Sequence, residues 1–213
     1  CSAAVVALLL QANGAAWPSA IRAADWSNDG VMAVLRAANE VAFVGQVELP
    51  RLLQTPDLSP EALRSALQAA PANAARPRLP QGVPPPAGWT PVEGQEVALR
   101  PGTGAEKNGL AAGDVAVVIG FHVTDAMNSD DIKLRRQRDG EDLSGWFKAV
   151  DLGEPTEGMS LLHYGALRGL GEGPMALLLE ADAEAAAAQD ARGRLAVEVA
   201  LLGRRCSAAV AAL

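Results

Sequence analysis

The sequence predicts a mixed α+β protein on three observations. A capped helix start stands at "DLSPEALRSALQAA" (57–70), a proline-dense stretch follows it, and from Val92 onward short apolar runs alternate with glycine turns. These divide the chain into an N-terminal helix and β-clip-like region (1–71), a proline-rich linker (72–91) and a mostly β C-terminal domain (92–213) closed by a strand–helix–strand unit.

The helix start is specific. Ser59 can accept from free backbone amides, Pro60 suits the first helical position, and Glu61 sets a negative charge at the positive end of the helix dipole. Leu63 and Leu67 fall on one face, and Pro71 stops the run. Upstream, Val31–Leu35 and Val41–Val47 are candidate strands, although "VMAVLRAANEVA" also carries helical spacing, and period does not arbitrate between them. The stretch "PANAARPRLPQGVPPPAGWTP" (71–91) lacks many backbone donors and reads as a stiff, extended linker.

Beyond the linker, "EVALR" (96–100) and "DVAVVIGFHV" (114–123) read as strands. Lys133, Arg135, Arg136 and Arg138 lead into the turn "RDGED" and form a solvated basic hairpin. "MSLLHYGALRGLGEGPMALLLEAD" (159–182) gives two apolar runs split by a glycine-rich turn. In the last unit, Leu177–Leu179 is a strand, Asp182 caps a helix over Ala183–Ala191, Gly193 ends it, and Leu195–Leu202 alternates as a strand.

Composition narrows the function. A chain of 213 residues can bury a sizeable core, and with 4% aromatics that core is aliphatic. The net charge of -7 argues against a general nucleic-acid binder, which needs clustered cations. No apolar run reaches the roughly 18 residues that a membrane span needs. Cys1 and Cys206 are too few for a disulfide framework, and whether they pair stays open. Cys1 itself admits four readings: the chance start of a piece of chain, an acylated lipoprotein cysteine, an N-terminal nucleophile, or the cut end of a signal or membrane segment ending in "AVVALLL".

Candidate chemistry is sparse. His122, His163, Cys1 and Cys206 lack metal-ligand spacing, so no metal site and no cofactor are expected. Asp125, Asp130 and Asp131 read as solvated loop acids, because an EF-hand's glycine and terminal glutamate are missing. Ser160 and His163 stand three apart in "GMSLLHYG", but Leu162 replaces the second glycine of a nucleophile elbow, and the pair is read as non-catalytic. "GLGEGP" (169–174) is set aside as a phosphate loop, since a strand is expected after it. No residue is expected to be catalytic. If the chain is an enzyme, Cys1 is the nucleophile, its α-amine the base, and the class an amide hydrolase.

Two family resemblances attach to "EVALRPGTGAEKNGLAAGDVAVVIG" (96–120). It resembles the middle of SAF-domain proteins of the CpaB/RcpC type, a periplasmic pilus-assembly family. In the same order, "SLLHYGALRGLGEG" and "MALLLEADAEAAAAQDARGRLAVEVALL" are similar to that family's later strands and helix. "VGQVELPRLLQTPDLSPEAL" is similar to its SAF turn, so the match runs from Val44 to Leu202. The resemblance implies a non-catalytic scaffold at the cell envelope. It would bind protein partners, an outer-membrane secretin among them, with membrane anchoring through Cys1 or a segment preceding it. The rival is the PDZ domain, which "PGTGAEKNGLAAGDVAVVIG" also resembles; this implies strand addition of a peptide beside Gly109 and Leu110.

Overall fold

The computed structural model describes residues 3–17, 20, 28–55, 57–71, 73–76, 78–80, 82–85, 89–100, 106–111, 113–122 and 131–202. The α+β class is as expected: helices and an antiparallel sheet share the chain.

The first part is helical. Helix α1 is Ala3–Ala12 and α2 is Asp29–Ala38, whose N-cap Asn28 accepts from the amide of Val31. Asn39 ends α2 and caps α3 by accepting from Ala42. Helix α3 comprises Glu40–Phe43, a π-helical stretch Val44–Glu48 and Leu49–Leu53. The wide turn has a cause in Pro50, whose ring would crowd the carbonyl four residues back in a regular helix. The candidate strands at Val31–Leu35 and Val41–Val47 are therefore helical. Val31, Met32 and Leu35 share one buried face, which is the helical alternative the spacing left open. Helix α4, Pro60–Ala69, forms as expected, with the Ser59 hydroxyl accepting from Ala62 and Leu63 fully buried.

The β part follows. Strands β1 (Glu96–Leu99), β2 (Glu106–Lys107), β3 (Leu110–Ala111), β4 (Val115–His122), β5 (Asp131–Arg136) and β6 (Leu152–Gly153) make a four-stranded sheet, β5-β4-β1-β6, and a small hairpin, β2-β3. All pairings are antiparallel, with a register shift between Val118 and Gly120. Alternation along β5 buries Ile132 and Leu134 against Val97, Val118, Leu143 and Phe147 in a β core.

The C-terminal part departs from expectation. The strand–helix–strand unit is not formed. Ser160 caps helix α5, Leu161–Arg168, which Gly169 ends in left-handed conformation; α6 is Glu172–Ala181 and α7 is Ala196–Leu202. Thus Leu177–Leu179 lies in α6, and the helix expected over Ala183–Ala191 shrinks to a 3-10 turn at Ala183–Ala186. The alternation over Leu195–Leu202 misleads because alanine serves as the buried contact: Ala196, Val199 and Ala200 are buried at helical spacing, while Val197 and Leu201 face out. Among the described residues from 92 onward, strands accordingly run up to Gly153 and helices from Leu161 to Leu202.

These late helices complete the core begun by the first ones. One apolar cluster joins Leu35, Leu53 and Leu63 with Met159, Tyr164, Leu178 and Val199. The proline-dense stretch is part of the same packing: Leu79 and Val83 are buried, the Leu79 amide donates to Met159 at 2.8 Å, and Val83 bridges Glu154. Among the described residues no helix is long and apolar enough to cross a membrane.

Candidate functional site

The strongest constellation is at the start of α5. Ser160 has extended backbone, so its hydroxyl turns back over the first helical turn, where amides lack intrahelical acceptors. Its Oγ accepts from the His163 amide at 3.3 Å and lies 2.7 Å from His163 Nδ1. The other ring nitrogen, Nε2, is 3.0 Å from the carbonyl oxygen of Arg194. A carbonyl oxygen only accepts, so Nε2 carries the proton and Nδ1 offers its lone pair to the Ser160 hydroxyl.

The carbonyl of Arg194 is held in place by a tight turn. The Asp190 side chain accepts from the amides of Arg192 and Arg194 and from Arg194 Nε, each at 2.8–2.9 Å. Burial pushes the Asp190 carboxyl up, but these hydrogen bonds outweigh it and hold the group below its ordinary value. For His163 burial dominates in the other direction. It lowers the ring below its ordinary value despite the Arg194 carbonyl and the Asp190 charge, with Arg78 and Arg194 adding repulsion.

His163 has no exposed surface and Ser160 is 3% exposed. Ser160 nonetheless lines a surface hollow of about 340 Å³, together with Arg76, Arg78, Asp182 and Glu184. Arg78 Nη1 donates to the carbonyls of Gly158 and Gln189, bracing both flanking loops. No protein-family model, no curated protein and no solved structure matches the chain.

A second polar centre joins the sheet to the helices. The Tyr164 hydroxyl donates to Glu154 at 2.6 Å and accepts from Gln54 Nε2 at 2.7 Å, while Arg168 donates to the other Glu154 oxygen at 2.8 Å. Burial, then the Glu154 charge and the bond to it, push the Tyr164 hydroxyl far up. Nothing in the sequence singles these residues out; a tyrosine inside an aliphatic chain was the available signal.

The other sequence candidates fall as follows. Cys1, Cys206, Asp125 and Asp130 lie outside the described residues. Asp131 opens β5 and pairs with Lys148 at 2.9 Å. Arg135 pairs with Asp142, Arg138 with Asp114, and Arg136 with Asp139 and Glu141. Among the described residues no three His, Cys, Asp or Glu side chains gather as a metal site. The strand expected after "GLGEGP" is helix α6, whose first turn holds Glu172, a negative charge where a phosphate would bind.

Gly109 sits at φ +85° in the Asn108–Gly109 hairpin turn, a backbone glycine alone adopts at little cost, and its carbonyl accepts from Arg136. Leu110 is fully buried in the β core. The outer side of β5 is bonded to the 141–147 segment, and Glu154, just after β6, bridges Val83. Leu110 itself lies in β3 of the separate two-stranded sheet β2-β3.

Proposed function

We propose that the chain holds protein partners through the end of its β part. The observation that carries this is the pair of aromatic side chains exposed there: Phe121 is 45% and Trp146 44% exposed. Phe121 pairs with Ile132, which bridges Phe147, so these three side chains share one face of the strands, and Trp146, one residue before Phe147, stands on the other with Lys133. Lys133 Nζ stands 5.3 Å from the Trp146 ring. Exposed tryptophan with a flanking cation is the composition of interface anchors.

The resemblance to the pilus-assembly family supplies the first partner class to try, an outer-membrane secretin, and with it a place at the cell envelope. Its support rests on 96–120, where the strand pattern agrees with β1 to β4. Ser160–Gly173 and Leu195–Leu202, which it makes strands, are largely helical.

The test is binding of the immobilised chain to a purified pilus secretin from the same source. Retention is expected, weakened about tenfold or more by Trp146→Ser with Phe121→Ser, as for an interface anchor. No retention, or equal retention by the variant, sinks the proposal.

A further inference from the structure

We propose that Ser160 and His163 form a nucleophile–base pair that cleaves small carboxylic esters in the hollow that Ser160 lines. This goes beyond a holding role and concerns the helical part, not the aromatic end of the sheet. Sequence motifs point away from it, because the elbow pattern is absent. The spatial arrangement supplies instead the three relations such chemistry needs: a hydroxyl on a base, a base oriented from behind, and access for a substrate.

The hydroxyl lies 2.7 Å from Nδ1, a proton-transfer distance. The ring is oriented by Nε2–H on the Arg194 carbonyl, which the Asp190 turn fixes. Burial keeps the imidazole neutral and so able to accept a proton. The amides of Leu161 and Leu162, at the start of an eight-residue helix, have no acceptor within that helix, and a helix N-terminus favours developing negative charge.

The steps balance as follows. Ser160 Oγ bonds to the ester carbonyl carbon, its proton moves to His163 Nδ1, and the carbonyl electron pair shifts to oxygen beside the α5 amides. Collapse breaks the carbon–oxygen bond to the alcohol, which leaves with the Nδ1 proton, and acyl-Ser160 remains. A water gives its proton to Nδ1 and attacks the acyl carbon. The carboxylic acid departs and Ser160 takes the proton back. Nε2–H stays on the Arg194 carbonyl throughout.

Ser160 is also the cap of α5, so the comparison variant is Ser160→Asn, which keeps a good cap and removes the nucleophile. The full chain is treated with a fluorophosphonate probe and, separately, with p-nitrophenyl acetate. Expected is phosphonylation on the peptide that contains Ser160, with ester cleavage that Ser160→Asn abolishes and His163→Gln lowers by about a hundredfold or more. Thermal melts show that the variants are folded. An unlabelled wild-type chain, or cleavage that survives in a folded Ser160→Asn, overturns the proposal and leaves the pair a helix cap.

Discussion

Tyr164 donates its hydroxyl to Glu154 at 2.6 Å from the inside of α5, so a residue of the helical core holds the one that leaves β6. Gln54 closes the link by donating to that hydroxyl and to the Pro84 carbonyl, each at 2.7 Å. Four separate chain segments meet at this one oxygen and its partners. Tyr164→Phe keeps the ring packing and removes the oxygen, leaving buried polar atoms of Glu154 and Gln54 short of a partner. The expected loss is about 1–3 kcal/mol in urea unfolding. A loss under about 0.5 kcal/mol would show the link to be idle.

Stability should fall with acid in two stages. His163 is held below its ordinary value of 6.5, so the unfolded chain takes up that proton first. Its contribution is complete above 6.5 and declines as pH drops from there toward the folded value. Asp190 is held below its ordinary 3.8, so its contribution is present above 3.8 and is lost as pH falls through the folded value. Both effects share one sign. Urea midpoints between pH 8 and 3 check this: the wild type declines below about 6.5, and His163→Gln removes that first stage while keeping the second.

Glycine at 82 is required twice over. Its φ is +71°, and a Cβ there would stand 2.1 Å from the Leu99 carbonyl oxygen, which belongs to the sheet and cannot step aside. Gly94 has φ +82° with open space around it. Gly94→Ala should therefore cost only the backbone strain, about 1–2 kcal/mol. Gly82→Ala should cost clearly more or prevent folding. Equal melting temperatures for the two variants would contradict this packing.

The helical nature of 195–202 has its own check. Ala200 is buried and Leu201 is 62% exposed. Ala200→Glu should destabilise by several kcal/mol, because it buries a charge, whereas Leu201→Glu should stay within about 0.5 kcal/mol. A strand with alternating faces would reverse that order.

Local chemistry was legible where one residue fixes backbone geometry. Ser59 and Pro60 set the start of α4, and Gly113 with Asp114 sets the entry to β4, where Asp114 accepts from Ala111. Aliphatic runs were not legible. Leu177–Leu179 and Val31–Leu35 present apolar side chains in succession, and in an alanine-rich chain both a helix and a strand can bury part of such a run. The Ser160–His163 spacing was visible, but its third member is a backbone oxygen 31 residues beyond His163, to which side-chain motifs give no clue. The Tyr164 link spans still longer separations, 110 residues to Gln54.

The shared apolar cluster has a temporal consequence. Leu35, Leu53 and Leu63 pack with Met159, Leu178 and Val199, while the strands between them have a core of their own. On a ribosome the opening helices emerge long before the segments that cover them, so their greasy faces wait while the intervening strands are made and can already mature. Such distant closure slows folding and lengthens the interval in which a chaperone or a neighbouring nascent chain can seize those faces.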